Sequence, residues 1–221
     1  MPSEISGSFN ARVALRAHWA LLLLLFAVAA LMPLKTEAAT TLIKTANNLG
    51  LVGYWSFNEG TSTIATDFSG NGNHGTLTNM SASNWVNGMR GKALDFIDSD
   101  DYVSVANPTS FNFGTADFAI ATWVRRDVAG DEDMLISKTA DGAWESGGKL
   151  FNVGATNKLF LDQNGVGFVD STGTITDTNW HHVAVTFTDS SNAVEFYIDG
   201  VSAGSDVYTW TEHIEQNPSR G

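Results

Sequence analysis

The sequence predicts an all-β protein, an antiparallel β-sandwich of the jelly-roll kind. Three observations predict it. From Leu51 onward, apolar residues recur with period two rather than about 3.6, so alternate side chains share a face. Turn clusters break these runs at short intervals: Ser69-Gly70-Asn71-Gly72-Asn73, Asp141-Gly142, Gly147-Gly148, Asn164-Gly165 and Asp199-Gly200. No segment beyond residue 50 carries a sustained helical stripe. The chain of 221 residues is 43% hydrophobic with 7 Trp and 13 Phe, enough for a core and contrary to disorder.

The first element is an export signal. Residues 19–34 form an unbroken run of 16 nonpolar side chains, with Arg12 and Arg16 before it and Thr36-Glu37-Ala38 after it. A basic stretch, an apolar stretch and small residues at −3 and −1 are the marks of a secretory signal. The run falls short of the roughly 20 residues that span a bilayer, and Pro33 shortens its helix further. Cleavage is expected after Ala38, making 1–38 the signal peptide. Left uncut, the same residues would form an N-terminal anchor. Residues 39–50 are polar and patternless, and are expected to be a linker.

Ten short strands are expected next, at 51–57, 75–78, 93–97, 102–106, 118–125, 134–138, 150–153, 159–163, 181–187 and 193–198. Phe118, Ile120, Thr122 and Val124 share one face of their strand, and Ala119, Ala121 and Trp123 the other. Trp55, Trp123 and Trp180 lie in strand patterns and are expected in the core. Trp123→Ala should then cost about 3–5 kcal/mol. Asp199-Gly200 directly follows an alternating strand and supplies the positive φ angles of a tight hairpin.

Charge and composition exclude several functions. Twelve Lys and Arg stand against 24 Asp and Glu, a formal net charge of −12. Such a surface repels nucleic acid phosphates and anionic lipids alike. The absence of cysteine excludes disulfides, thiolate zinc sites, thiol nucleophiles and a lipidated cysteine anchor.

Five stretches in order along the chain carry a family pattern. They are Gly50-Leu51-Val52-Gly53-Tyr54-Trp55-Ser56-Phe57-Asn58-Glu59-Gly60, then Asp67-Phe68-Ser69-Gly70-Asn71-Gly72-Asn73-His74-Gly75-Thr76-Leu77. Gly91-Lys92-Ala93-Leu94-Asp95-Phe96 with Asp100-Asp101-Tyr102-Val103 follows, then the strand from Phe118 to Val124. Trp180-His181-His182-Val183-Ala184-Val185-Thr186-Phe187 with Phe196-Tyr197-Ile198-Asp199-Gly200 completes the set. Together they resemble the bacterial laminin G-like, or concanavalin A-like lectin/glucanase, domain family over about residues 50–205. The resemblance implies a β-sandwich at 51–221, of a kind that accompanies adhesion or polysaccharide-degrading parts. It also implies two or more closing strands after the hairpin, the last often carrying Asp-Glu-Val. Only 21 residues follow Gly200, and none matches. The domain is therefore expected to be C-terminally incomplete, a fragment.

Catalysis finds no support in these residues. Glycoside cleavage needs two carboxylates across a sugar bond. Hydrolases sharing this sandwich carry a Glu-x-Asp-x-x-Glu strand, which the chain lacks. Asp131-Glu132-Asp133, beside Gly130, reads as a solvated turn. No nucleophile elbow, phosphate loop or metalloprotease helix motif occurs. His181 and His182 are neighbours on a strand, point to opposite faces and cannot grip one metal. His74 is expected to make a loop hydrogen bond.

Exposed aromatic rings can stack on sugars. Trp144, between Gly142 and Gly147-Gly148, is the candidate ligand-binding residue, with packing beneath its loop as the alternative. Trp85 and Trp210 stand behind it. A structural calcium ion is the candidate cofactor. Asp67, Ser69, Asn71 and Asn73 alternate as oxygen-bearing side chains across a Gly-rich loop, and hard cations want six to eight oxygens. An EF-hand is rejected, because position twelve is Thr78 and no helices flank the loop. Related sandwiches hold calcium at loop ends, so the resemblance adds Asp100 and Asp101 as further ligands. Ordinary turn chemistry competes with this reading. Calcium bound to the native state alone would raise the melting temperature.

The expected function is a secreted, non-catalytic recognition module that binds a carbohydrate or a protein surface, for adhesion or substrate targeting. The alternative is part of a secreted glycan-degrading hydrolase, and a third possibility is an envelope spacer. The expected partner is a glycan or an extracellular protein, with no nucleic acid and no membrane after signal cleavage.

Overall fold

The computed structural model describes residues 50–106, 111–112, 116–138 and 148–208. The first strands are β1 (Ile64–Ala65), β2 (Gly75–Thr78), β3 (Trp85–Asn87), β4 (Lys92–Leu94) and β5 (Tyr102–Val105). They are followed by β6 (Phe118–Arg125), β7 (Asp133–Lys138), β8 (Lys149–Val153) and β9 (Lys158–Gln163). The last are β10 (Gly167–Thr174), β11 (Trp180–Thr188), β12 (Ala193–Ile198) and β13 (Val201–Val207). No α-helix occurs among the described residues, and none of their helices is long and apolar enough to cross a membrane.

Two four-stranded antiparallel sheets form the sandwich, in the orders β13-β12-β11-β6 and β10-β9-β8-β7. Alternation decides which side chains meet between them. Phe118, Val183, Val185, Phe187, Val194, Phe196 and Ala203 come from one sheet, and Phe151, Val153, Leu159, Leu161 and Val169 from the other. Ile175 and Tyr208 close the same cluster. Val183, Val185, Val194 and Phe196 are completely buried, so each contributes about 1.5–3 kcal/mol. A three-stranded sheet, β1-β2-β5, and the β3-β4 hairpin enclose a smaller core of Ala65, Leu77 and Trp85.

The two large sheets come closest where β10 meets β13. Thr172 Oγ1 donates to Ala203 O at 3.0 Å. Gly204 has φ 120°, and a Cβ there would lie 2.8 Å from Thr172 N. Only glycine fits at that crossing.

The antiparallel sandwich agrees with the sequence reading, and strands 75–78, 118–125 and 193–198 have the expected bounds. The Asp199-Gly200 hairpin has φ 53° and 77°, both positive as a type I′ turn requires. Residues 51–57 depart from expectation, forming only an isolated bridge between Trp55 and Asp67. Side chains take the place of a partner strand there. Asn71 Nδ2 donates to Leu51 O at 2.7 Å, and Asn73 Nδ2 to Val52 O at 2.8 Å. Strands β1, β3, β10 and β13 were not anticipated, because β10 and β13 are rich in Gly, Ser, Thr and Asp. Two hairpin turns and the pairing they impose make them strands. The expected signal peptide 1–38, the expected linker 39–50 except Gly50, and residues 209–221 lie outside the described residues.

Trp123 corrects a second expectation. Phe118 points inward, so parity puts Trp123 on the outer face, 40% exposed, with its ring edge-on to His182 at 5.3 Å. Trp180 is half-buried beneath the Arg125 guanidinium, 5.5 Å from its ring centroid. Trp85, named from sequence as a sugar platform, is instead buried and donates to Ser62 O at 3.1 Å. Alternation outranks residue type. Accordingly, Phe196→Ala should destabilise by about 3–5 kcal/mol and Trp123→Ala by about 1 kcal/mol or less in urea melts. Equal losses at the two positions would overturn this inside-outside assignment.

Candidate functional site

The alternation that sends Phe151, Val153, Leu159 and Leu161 inward sends their neighbours to the outer face of the β7–β10 sheet. Register then brings them together. Leu150, Asp162 and Phe168 lie opposite one another across β8, β9 and β10. Asn152, Phe160 and Asp170 form the next row. The first row and most of the second line a cavity of about 270 Å³, together with Glu132, Gly154 and Ala155.

One wall is aromatic. The Phe160 and Phe168 rings are 5.3 Å apart and tilted by 55°, and Phe168 is 58% exposed. Gly154 leaves room for this wall, since a Cβ there would lie 2.6 Å from the Phe160 ring. The opposing wall is made of hydrogen-bond acceptors. Asn152 is only 4% exposed and donates from Nδ2 to Glu132 Oε1 at 2.8 Å. Its Oδ1 is buried with no partner. Such an atom costs free energy unless a donor reaches it. Burial pushes the Asp162 carboxyl up; the backbone bond at Gln163 pulls it down, and the Glu132 charge raises it again, leaving it above the usual range. Asp170 is engaged by Lys158 Nζ at 2.9 Å.

The residues on either side of Glu132 are held by Arg126, whose side chain is fully buried. Arg126 Nε donates to Asp133 Oδ2 at 2.5 Å and Nη2 to Asp131 O at 2.6 Å. Nη1 donates to Asn157 Oδ1 at 2.7 Å and to Ile175 O at 3.1 Å. Asp131 and Glu132 are exposed, as the solvated turn expected from sequence requires, whereas Asp133 opens β7 and pairs with the arginine. The two aspartates serve the arginine, and the glutamate serves the groove.

The residues named from sequence lie elsewhere. Trp144 and Trp210 are outside the described residues. Asp67 is buried, and its carboxylate accepts from Tyr54 N, Ser69 N, Ser69 Oγ and Asn73 N at 2.8–2.9 Å. Burial raises its pKa, but those four bonds outweigh burial and hold the carboxyl below its usual value. Asn73 Oδ1 is buried without a partner. His74 accepts from Asp67 N at 3.0 Å, the expected loop hydrogen bond. Asp100 and Asp101 belong to a second network: Asn79 Nδ2 donates to Asp100 Oδ2 at 3.0 Å, and Asn84 Nδ2 to Asp101 Oδ2 at 2.9 Å. No three His, Asp or Glu side chains among the described residues converge as metal ligands would. The signal for the groove was present in part as Phe160, which alternation in the expected strand 159–163 sets on one face with Asp162; Phe168 lies in β10, which the sequence pattern did not reveal.

A laminin G-like family model, described as the concanavalin A-like lectin/glucanases superfamily, matches residues 98–219. The match covers more than half of the chain, which belongs to that superfamily. Domain 4 of AbnA, an extracellular GH43 arabinanase from Geobacillus stearothermophilus solved in complex with arabinotriose, is 18% identical with a TM-score of 0.51. The similarity covers 73% of this chain and 79% of that one. Carbohydrate binding module CBM66 from Bacillus subtilis is 17% identical with a TM-score of 0.37, over 62% of this chain and 81% of that one. A candidate carbohydrate binding protein from Bacteroides ovatus is 14% identical with a TM-score of 0.37, over 47% of this chain. This chain spans 30% of that protein. No curated protein matches the sequence.

Two predictions follow from the charged contacts. Arg126→Ala leaves Asp131 O, Asn157 Oδ1 and Ile175 O without their donor, beside a partly exposed Asp133, and should cost about 1–3 kcal/mol in chemical denaturation. A loss below about 1 kcal/mol would show that the clamp contributes little.

The second concerns His181, which meets Asp199 Oδ2 from Nδ1 at 2.7 Å and Asp177 Oδ1 from Nε2 at 3.0 Å. Burial lowers the His181 pKa, but both aspartates outweigh it and leave it raised. The aspartates are depressed: Asp199 first by His181, Asp177 first by the Asn179 backbone N–H. The histidine contribution is full below about pH 6.5 and is lost as pH rises through the raised value. The aspartate contributions are full above about pH 3.9 and are lost as pH falls through the depressed values. The melting temperature should therefore decline above neutral pH in the wild type, and His181→Ala should flatten that decline. An unchanged alkaline slope in the variant would remove His181 as its source.

Proposed function

We propose that the chain is a secreted, non-catalytic module that binds a glycan in the groove on the outer face of the β7–β10 sheet. One observation carries the reading: Asn152, whose buried Oδ1 has no partner, lines a cavity together with the Phe160 and Phe168 rings. Sugars match both walls. Their C–H faces stack on aromatic rings, and their hydroxyls donate to acceptors that water serves less well. The cavity volume, about 270 Å³, suits a short stretch of glycan rather than a protein surface. The likeness in fold to an arabinanase domain solved with arabinotriose supports the same ligand class. Export rests on the basic, apolar and small-residue pattern of 1–38.

A structural calcium ion at Asp67, Asn71 and Asn73 is a separate proposal. Its support is the oxygen-rich spacing and the unpartnered Asn73 Oδ1. The hydrolase alternative draws support from Glu132 and Asp162, two carboxylates at one groove.

Affinity electrophoresis and calorimetry against linear arabinan and laminarin test the groove. Phe168→Ala and Asn152→Ala should each weaken binding at least about tenfold, the loss of one stacked ring or one buried hydrogen bond. Melting curves on each variant separate lost binding from lost folding. Binding unaffected by both changes but abolished by Trp144→Ala would move the site to the 139–147 segment. Sugar release that disappears in Glu132→Gln or Asp162→Asn would establish the hydrolase instead.

A further inference from the structure

The groove is chemically one-sided. Glu132 and Asp162 offer carboxylate acceptors, with the unpartnered Asn152 Oδ1 buried beside them, and no Lys, Arg or His lines the cavity among the described residues. Its one buried donor group, Asn152 Nδ2, is already given to Glu132 at 2.8 Å. The nearby Lys158 is paired with Asp170 at 2.9 Å. A carboxylate-bearing ligand would meet acceptors where it needs donors, in a chain of net charge −12. Like charges facing each other across a partly desolvated site repel, and no cation among the described lining residues offsets them. A neutral ligand with free hydroxyls meets no such penalty.

We infer that this groove selects neutral glycans with unsubstituted hydroxyls and excludes uronate polymers. The inference rests on the glycan-binding reading of the same groove and adds the class of glycan. The raised Asp162 pKa agrees with it, because burial and the Glu132 charge already strain a second anion there. A third negative charge from the ligand would add to that strain. Selectivity in this account comes from repulsion as much as from attraction. Salt should then act on the two ligand classes differently. Screening relieves repulsion between anions and leaves stacking and neutral hydrogen bonds nearly unchanged.

The test uses the full chain and four probes: linear arabinan and laminarin as neutral glycans, polygalacturonate and alginate as anionic ones. At low salt a neutral probe should bind at least about tenfold more tightly than either anionic probe. Added sodium chloride should narrow that gap. The double variant Glu132→Gln and Asp162→Asn replaces two charged acceptors by neutral amides and should narrow it further, read as the ratio of neutral to anionic affinity. Polygalacturonate or alginate binding as tightly as a neutral probe, and losing that binding in Phe168→Ala, would overturn the inference and leave the groove as a glycan site. Binding of none of the four would overturn the groove reading, and the inference with it.

Discussion

The buried guanidinium of Arg126 is the contact on which the β7–β10 sheet and its outer groove depend. It sits just past β6, where the chain leaves one sheet to enter the other. Four hydrogen bonds tie it to Asp131, Asp133, Asn157 and Ile175, which come from the β6-β7 connection, the first residue of β7, the β8-β9 turn and the exit of β10. A cation without water needs nearly all its donors satisfied, so it dictates where those segments stand. Asn157, at φ 64°, also accepts from Gly130 N at 2.7 Å and brings the far end of the connection to the same point. Glu132 lies between two residues held by the arginine. Its place in the groove follows from that grip.

Asp67 plays the corresponding part at the other end of the described chain. Its carboxylate gathers three backbone N–H groups and a serine hydroxyl from segments that form no continuous ladder. Asn71 and Asn73 then satisfy the carbonyls of Leu51 and Val52. Backbone polar groups in an irregular loop must find partners, and here side chains supply them. The two regions reach the same end by opposite charges. One uses a buried cation to collect acceptors, the other a buried anion to collect donors.

The groove breaks local rules that the rest of the sandwich obeys. Leu150 and Asn152 are buried although they lie on an outward face, and Phe168 is exposed although it is large and apolar. Such departures cost stability and collect at sites of function. The aromatic wall stands on central strand β9 and edge strand β10 of a regular sheet, not on a loop. Rings and acceptors are therefore spaced by strand geometry, which keeps them in place before a ligand arrives.

Local chemistry determined the all-β class, most strand positions and the Asp199-Gly200 hairpin, because period-two alternation and positive-φ turn residues act over a few residues. Alternation set Trp123 and Phe118 on opposite faces of β6 but did not say which face was inner, so the strand pattern put Trp123 in the core and only the packed sandwich turned it outward. Strands β10 and β13 were not legible, since Gly, Ser, Thr and Asp become strand residues only when a neighbour offers its ladder. The groove was beyond the sequence for a related reason. Glu132, Asn152, Asp162 and Phe168 lie in four separate segments, and only register and the Arg126 clamp decide that they meet. Pairing between strands and burial of one charge are long-range events, and the tertiary structure alone settles them.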